Sequence, residues 1–433
     1  MANIRSVKFT IAKEGAGTPG TPAARTDVLP ISDIGDLDRV PTKETDPVIS
    51  GSGMKTGDYV AFADVGGSIP LSPRACAGWA HVVKGALGTE GTPARVAGVI
   101  RIEYTGASAS CKLTTSLAGK TINAKIGALG AEVNDAAFGT AGTIDLTNAA
   151  FDTVAELVAA IDAYADYECT LVTGTGANVI VSAIQATFQA KGRFAFIILT
   201  SAASTAYAHQ FTPNLTVDSE RPTYSIQADG LGDNFLYDGC VFDELSISAS
   251  LKSAVEASAK VLGMKETIGQ VASALTLEDR NVFIFGYGLT AIAGQVYNYA
   301  RKASLKTTAG HNADGYGQAA LDRAYHQKGN FAVTGDLTLR LDSTSYAERA
   351  KLAAGTELGI VLVFFGAEKQ AIGSGVAELM IIEIPYAKVQ KFKPVKNGEI
   401  LDAEIGWEGF YPPGTLYEAP MTITLITDDS AAY

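Results

Sequence analysis

Catalysis would need a nucleophile, a titratable pair or a phosphate cradle, and the segment GCVFDELSISAS (Gly239–Ser250) offers the first two. It carries a thiol at Cys240, carboxylates at Asp243 and Glu244, and hydroxyls at Ser246, Ser248 and Ser250. From Leu245 onward, however, its apolar residues alternate with those serines at Leu245, Ile247 and Ala249. That period of two marks a strand with one buried and one solvated face. The segment is either an active site or a piece of wall.

Other candidate chemistry is sparse. The histidines His81, His209, His311 and His326 form no HExxH or paired spacing, so loop or surface positions are expected for them rather than metal ligation. Cys76, Cys111, Cys169 and Cys240 are scattered without a CxxC and read as reduced core residues. The pairs Asp243/Glu244 and Asp428/Asp429 read as solvated strand ends. A GxGxxA arrangement, Gly286, Gly288 and Ala291 after the apolar run VFIF, has the outline of a dinucleotide turn. Such a turn requires a following helix and an acidic residue about twenty positions on. Here turn and strand formers (GLTAIAGQVYNYA) follow, and LKTTAG stands where the acid belongs, so a hairpin is expected. No catalytic residue, cofactor or metal is assigned; a nucleotide-binding enzyme is the weakest alternative.

The elements that hold these residues are those of a large β-rich chain. Its 433 residues are 47% hydrophobic but only 18% charged, with 45 glycines, a composition that suits packed strands and extensive interfaces. Lys and Arg number 34 against 46 Asp and Glu, a net charge of −12, which argues against a surface built to grip nucleic-acid phosphates. There is no apolar leader segment and no run long enough to span a membrane, which points to a cytosol-like compartment.

Residues 1–57 are rich in breakers and are expected to be an arm and extended loops, with segment 12–56 ordered only against neighbours. From Asp58 the chain reads as two strands and a helix, with Pro73 early in the helix and Gly88 as its stop. Residues 99–205 differ in texture: short strands enclose a helix in FDTVAELVAAIDAYADY, capped by Asp152 or Thr153, with an apolar stripe at Val154, Leu157, Val158 and Ile161. Bounded by small-residue stretches, this module is expected to be separable. An internal echo spans it. Gly67–Gly88 and Gly335–Gly355 both read as glycine, alternating strand, short helix, glycine. The intervals from Gly67 to Gly239, less the module, and from Gly335 to Gly398 agree closely.

With LPISDIGDLDRVPTKETDPVISGSG, YVAFADVGGSIPLSPRACAGWAHVVKGALG, RPTYSIQADG, FLYDGCVFDELSISASLKSAVEASAKVLGMKE and FAVTGDLTLRLDSTSYAERAKLAAG, the chain resembles the major tail tube proteins of long-tailed, siphovirus-like bacteriophages. The resemblance implies a mainly β fold: two tandem tail-tube-type β-barrel or sandwich domains, each with a short helix, and an inserted small α+β or β-sandwich-like domain. The expected boundaries are 1–57 for the arm, 58–98 with 206–305 for the first tube domain, 99–205 for an insert on the outer surface, and 306–433 for the second. It also implies a structural virion protein rather than an enzyme. Assembled in the host cytoplasm, stacked rings would enclose a channel for the tape measure protein and for DNA ejection, with tail terminator and baseplate proteins at the ends and no membrane contact. A baseplate hub or tail terminator of the same fold is the alternative.

Two tube domains per chain predict trimeric rings with pseudo-sixfold symmetry; if the echo marks two halves of one sandwich, hexamers follow. Leu245, Ser246, Ile247, Ser248, Leu337, Thr338, Leu339, Ile400, Asp402 and Glu404 are the expected lumen or subunit-interface strand residues. GCVFDELSISAS would then be wall, whether at the lumen or within one subunit. The net charge fits an acidic lumen that repels DNA and equally an acidic exterior.

Overall fold

A computed structural model of the chain describes residues 7–45, 58–128, 130–215, 221–311, 315–316, 322–323, 325–326, 329–367, 371–373, 375–411 and 419–433. It is mainly β, with three α-helices among the described residues. The elements used below are, in chain order, β1 (Lys8–Lys13), β2 (Asp38–Thr45), β3 (Asp58–Leu71), α1 (Ala77–Leu87), β4 (Ala94–Tyr104), α2 (Val154–Asp162), β5 (Tyr167–Gly174), β6 (Ala195–Thr200), β7 (Tyr207–Pro213), β8 (Tyr224–Asp229), β9 (Phe235–Ser250) and β10 (Glu256–Gly263). They continue with β11 (Phe283–Ile292), β12 (Ala300–Thr308), β13 (Ala332–Arg340), α3 (Ser343–Ala354), β14 (Glu357–Gly366), β15 (Leu379–Asn397), β16 (Ile400–Gly409) and β17 (Thr422–Thr427).

The main core lies between two β layers. Strands β9 and β15 bend from one layer to the other: the first half of β9 pairs with β8 and its second half with β10 and β12, while the first half of β15 pairs with β14 and β17 and its second half with β16. Every residue of helix α1 is buried, His81 and Lys84 included, as expected of a helix enclosed by strands. Gly88 ends it in the left-handed region (φ 105°), and Gly355 ends α3 in the same way (φ 61°). Asp342 caps α3, accepting from Ser345 N at 2.8 Å, and only Ser345 and Glu348 of that helix are buried.

Strands β4, β5 and β6 form a further layer, with β4 at its centre. In β6 the alternation is complete. Ala195, Ile197 and Leu199 face a core closed by α2, while Phe196 and Ile198 face Val361, Val363 and Phe365 of β14 and Leu379 and Ile381 of β15. The residues of 99–205 therefore share a hydrophobic layer with the rest of the chain. Thr153 caps α2 through a reciprocal capping box with Glu156, and Val154, Leu157 and Ile161 are buried as the stripe predicts.

Several sequence expectations change. The small-residue stretch at the start of the module is itself the beginning of one continuous strand, 94–104, because β4 pairs with β7 at Ala94 and Arg95 before it pairs with β5 and β6. The segment after Asp58 is one long strand rather than two, and α1 begins at Ala77, after Arg74 has bridged to Val282. The expected N-terminal arm carries strands: β1 pairs along its whole length with β8, and Phe9, Ile11, Leu29 and Leu37 are buried in this same chain. Residues 46–57 of that arm, and much of the polar loop 309–330, lie outside the described residues.

A cavity of about 130 Å³ lies between the third layer and β14–β15, lined by Phe188, Phe194, Ile360, Arg193 and Glu383 among others. Burial pushes the Glu383 carboxyl up to about 8, against a hydrogen bond with the Phe196 backbone that favours the ionised form. The unfolded chain thus binds fewer protons than the folded one between about pH 4.5 and 8, so this residue's contribution to stability falls as pH rises through that window. Glu383→Gln is expected to flatten the fall and to raise stability at pH 9 by about 2 kcal/mol, read from urea midpoints across pH. An unchanged pH slope would contradict it.

Candidate functional site

Eight strands run side by side in the order β2–β3–β10–β9–β12–β13–β16–β15. Every neighbouring pair is antiparallel, and the alternation expected from GCVFDELSISAS extends across the sheet. One face is core: Ile69, Val261, Leu245, Ile247, Leu305, Leu337, Leu339, Ile405 and Trp407 are buried together. The other face is polar, and its rows continue from strand to strand. Ser246 stands opposite Ser258 and Lys306; Lys306 opposite Thr334; Thr334 opposite Glu408. The next row runs from Ser248 through Ser304 and Asp336 to Gly406 and Lys391, and a third from Ser250 through Lys302, Thr338 and Glu404 to Lys393.

Of the expected wall residues, Leu245, Ile247, Leu337 and Leu339 point into the core, and Ser246, Ser248, Thr338 and Glu404 sit on the polar face. Ile400 is exposed beside the β15–β16 turn. Asp402 is buried, with its Oδ1 2.9 Å from Arg301 Nε and its Oδ2 accepting from Asn397 at 2.8 Å. The sheet thus brings all ten onto three of its strands, β9, β13 and β16, on alternating faces.

The charge of the polar face is mixed. Lys260, Lys302, Lys306, Arg340, Lys391 and Lys393 alternate with Glu244, Glu256, Asp336, Glu404 and Glu408. Lys306 lies 2.6 Å from Glu244 and Lys391 3.5 Å from Glu404. The net −12 of the chain is not gathered here. Such exposed pairs add little stability; their effect is to leave a surface without a strong field of either sign.

The order of pairings repeats. β2 pairs with the helix-leading strand β3, β3 with β10, and β10 with β9; likewise β12 pairs with the helix-leading strand β13, β13 with β16, and β16 with β15. The two four-stranded sets meet at β9·β12, where seven residue pairs from Glu244–Thr308 to Ser250–Lys302 are in register. The counterpart of β9 is therefore β15. The echo read from Gly239 and Gly398 was one strand out of step: Gly239 lies within β9, whereas Gly398 lies in the turn between β15 and β16. Gly67 and Gly335, by contrast, occupy matching places on β3 and β13.

The remaining candidates are structural. His81 and His209, expected in loops or at the surface, are buried because each sits beside a carboxylate: His81 Nε2 is 3.1 Å from Asp27, and His209 Nδ1 is 2.9 Å from Glu90. Burial opposes ionisation of Glu90, yet hydrogen bonds from His209 and Lys84 outweigh it and hold its pKa below the ordinary value. Glu90 also accepts from Tyr433 N, and Lys84 of α1 donates to the Tyr433 carbonyl, pinning the last described residues beside α1. His326 Nε2 is 2.7 Å from Gly239 O, and burial lowers its pKa to about 4. All four cysteines are buried, and burial pushes the thiols of Cys76, Cys111 and Cys169 up to about 12. Asp243 and Glu244 diverge to separate lysines, Lys260 at 3.3 Å and Lys306. Asp428 pairs with Arg280. Gly286, Gly288 and Ala291 lie in β11, which turns back as a hairpin through Ala291–Val296, so no helix follows to receive a pyrophosphate. Among the described residues no group of three or more His, Cys, Asp or Glu is placed to hold a metal ion, and no helix is long and apolar enough to cross a membrane.

A family model described as phage tail tube protein matches residues 5–409. No curated protein matches the chain.

Proposed function

The chain belongs to the phage tail tube protein family, and from that premise we propose that it is the ring subunit of a tail tube in which three copies close around the channel. The supporting observation is the β9·β12 joint, which sets two matched four-stranded sets edge to edge with one continuous polar face. Each set is read as one tube domain, so the chain carries a covalently linked pair, with residues 99–205 on the outside. Among the described residues, β2 pairs only with β3, and residues 389–397 of β15 pair only with β16. Both ends of the eight-stranded sheet are open, and an open edge is a template for another copy.

Strand number then sets the ring. Three copies bring roughly 24 strands, which at about 4.8 Å spacing and about 40° tilt enclose a backbone circle roughly 48 Å across. Side chains reduce that to roughly 35–40 Å, enough for a duplex about 20 Å wide and its water. Two copies would leave no room for hydration, and six would double the width. The polar face becomes the lumen wall, first filled by the tape measure protein and later crossed by double-stranded DNA. Its Ser and Thr rows, with Lys260, Lys306 and Lys391 each paired to a carboxylate, let DNA slide because fewer free cations are offered to phosphates. Assembly takes place in the host cytoplasm, with terminator and baseplate proteins at the ends.

End-on electron-microscope averages of the purified protein test this. Threefold rings that stack into long tubes are expected; sixfold symmetry extending to the outer modules would overturn the two-domain reading. Rings that never stack would favour an end-ring component.

A further inference from the structure

We propose that the joint between neighbouring copies is a strand pair formed by residues 391–397 of β15 in one copy and residues 34–40 of the next, with Lys393 opposite Asp38 and Val395 opposite Asp36. The proposal rests on the ring reading above and adds the partner strand and its register.

The template is the joint already made inside the chain. At β9·β12, Ser246 faces Lys306, Ile247 faces Leu305, and Ser248 faces Ser304. Superposing the two four-stranded sets by their own pairings, with Gly67 on Gly335, carries Gly263 at the end of β10 onto Gly409 at the end of β16. It also carries Leu305 of β12 onto Leu37, and both are core residues. Ser246 falls on Lys393, and Lys306 on Asp38. A shift of one residue would place buried side chains on the polar face, so the face pattern restricts the register. The same operation applied to the open edges gives Lys393–Asp38, Pro394–Leu37 and Val395–Asp36.

Both edges are ready for this pairing. Residues 32–40 already run along β3, through Ser32 N to Pro70 O at 3.0 Å, Asp36 N to Ser68 O at 3.1 Å, and the Asp38–Gly66 pair. Leu37 is buried, while Asp36, Asp38 and Val40 are exposed on the opposite side. On β15, Lys391 and Lys393 are exposed and Phe392 packs on the core. The open edges are thus oppositely charged, whereas the internal joint carries Ser246 opposite Lys306. Covalent linkage makes steering unnecessary within a chain; two separate molecules gain encounter rate and register from complementary charge. Pro394 removes one backbone donor from the β15 edge, which restrains unguided pairing.

The test uses the full chain with Lys393→Cys and Asp38→Cys together. Facing residues on paired strands lie within disulfide reach, and the native cysteines are buried. Mild oxidation of assembled rings is expected to give a covalent ladder ending at the closed species, with neither single variant giving one. A ladder ending at six instead of three would keep this joint and overturn the trimer. Intact rings without cross-links would overturn the joint and leave the ring. As a second arm, Lys393→Glu should slow ring formation at low salt at least tenfold, and adding Asp38→Lys should restore it. Ring formation by Lys393→Glu at the unmodified rate would also overturn the proposal.

Discussion

Deleting residues 99–205 and bridging the gap with a short Gly/Ser linker is expected to leave a chain that aggregates instead of a trimmed tube subunit. The layer removed covers Val361, Val363 and Phe365 of β14, Leu379 and Ile381 of β15, and Ile426 of β17, all buried against β4 and β6. Uncovering six such side chains at about 1.5–3 kcal/mol each removes on the order of 10 kcal/mol, comparable with the whole stability of an ordinary domain. The exposed strip would also be a contiguous apolar patch of the kind that drives association. Soluble yield and sedimentation measure the outcome; a soluble deletion protein that forms rings would show that the layer is dispensable. A milder version, Phe196→Ala, should cost about 3–5 kcal/mol in urea unfolding of the full chain.

The module shares a hydrophobic layer with the rest of the chain for a reason present in the sequence. FAFIILT has no polar alternate positions, and a strand apolar on both sides needs cover on both sides. GIVLVFF in β14 makes the complementary demand: Ile360, Leu362 and Phe364 enter the main core and Val361, Val363 and Phe365 the shared layer. Small residues at the module's ends read as linkers only if these runs are ignored. Local features were legible: the Thr153 cap, the stop glycines at 88 and 355, and the alternation of Leu245–Ser250. Features depending on distant partners were not. β1 pairs with β8 more than two hundred residues away, and His209 meets Glu90 across 119 residues, so neither breaker composition nor histidine spacing could disclose them. The polar wall is intermediate. Its strands were recognised, but the continuity of its rows arises from the registers of seven pairings and has no local signature.

The matched glycines give the sharpest test of the repeat. Gly335→Val and Gly67→Val are each expected to destabilise the subunit by about 4 kcal/mol or more and to abolish rings, although both lie in strands where valine is ordinarily favoured. At Gly335 a Cβ would run into the Ser304 carbonyl of β12 and the indole of Trp407 on β16; at Gly67 it would run into the Asp36 carbonyl, with Leu37 Cα 2.6 Å away. In each set, then, the helix-leading strand is crossed at one point by the strand that precedes it, so closely that no side chain fits. Backbone atoms cannot swing aside as a flexible side chain would, so relief requires separating β12 from β13, or residues 36–38 from β3. Gly286→Ala is the control. It too is a strand glycine, in the GxGxxA arrangement, but a Cβ there meets nothing within 4 Å, and a change below about 0.5 kcal/mol is expected. If Gly335→Val unfolds the protein and Gly67→Val does not, the crossing in the first set is looser than in the second. Ring closure would then have to draw residues 34–40 onto β3 as the next copy's β15 arrives, because the joint needs that segment held where β12 is already held.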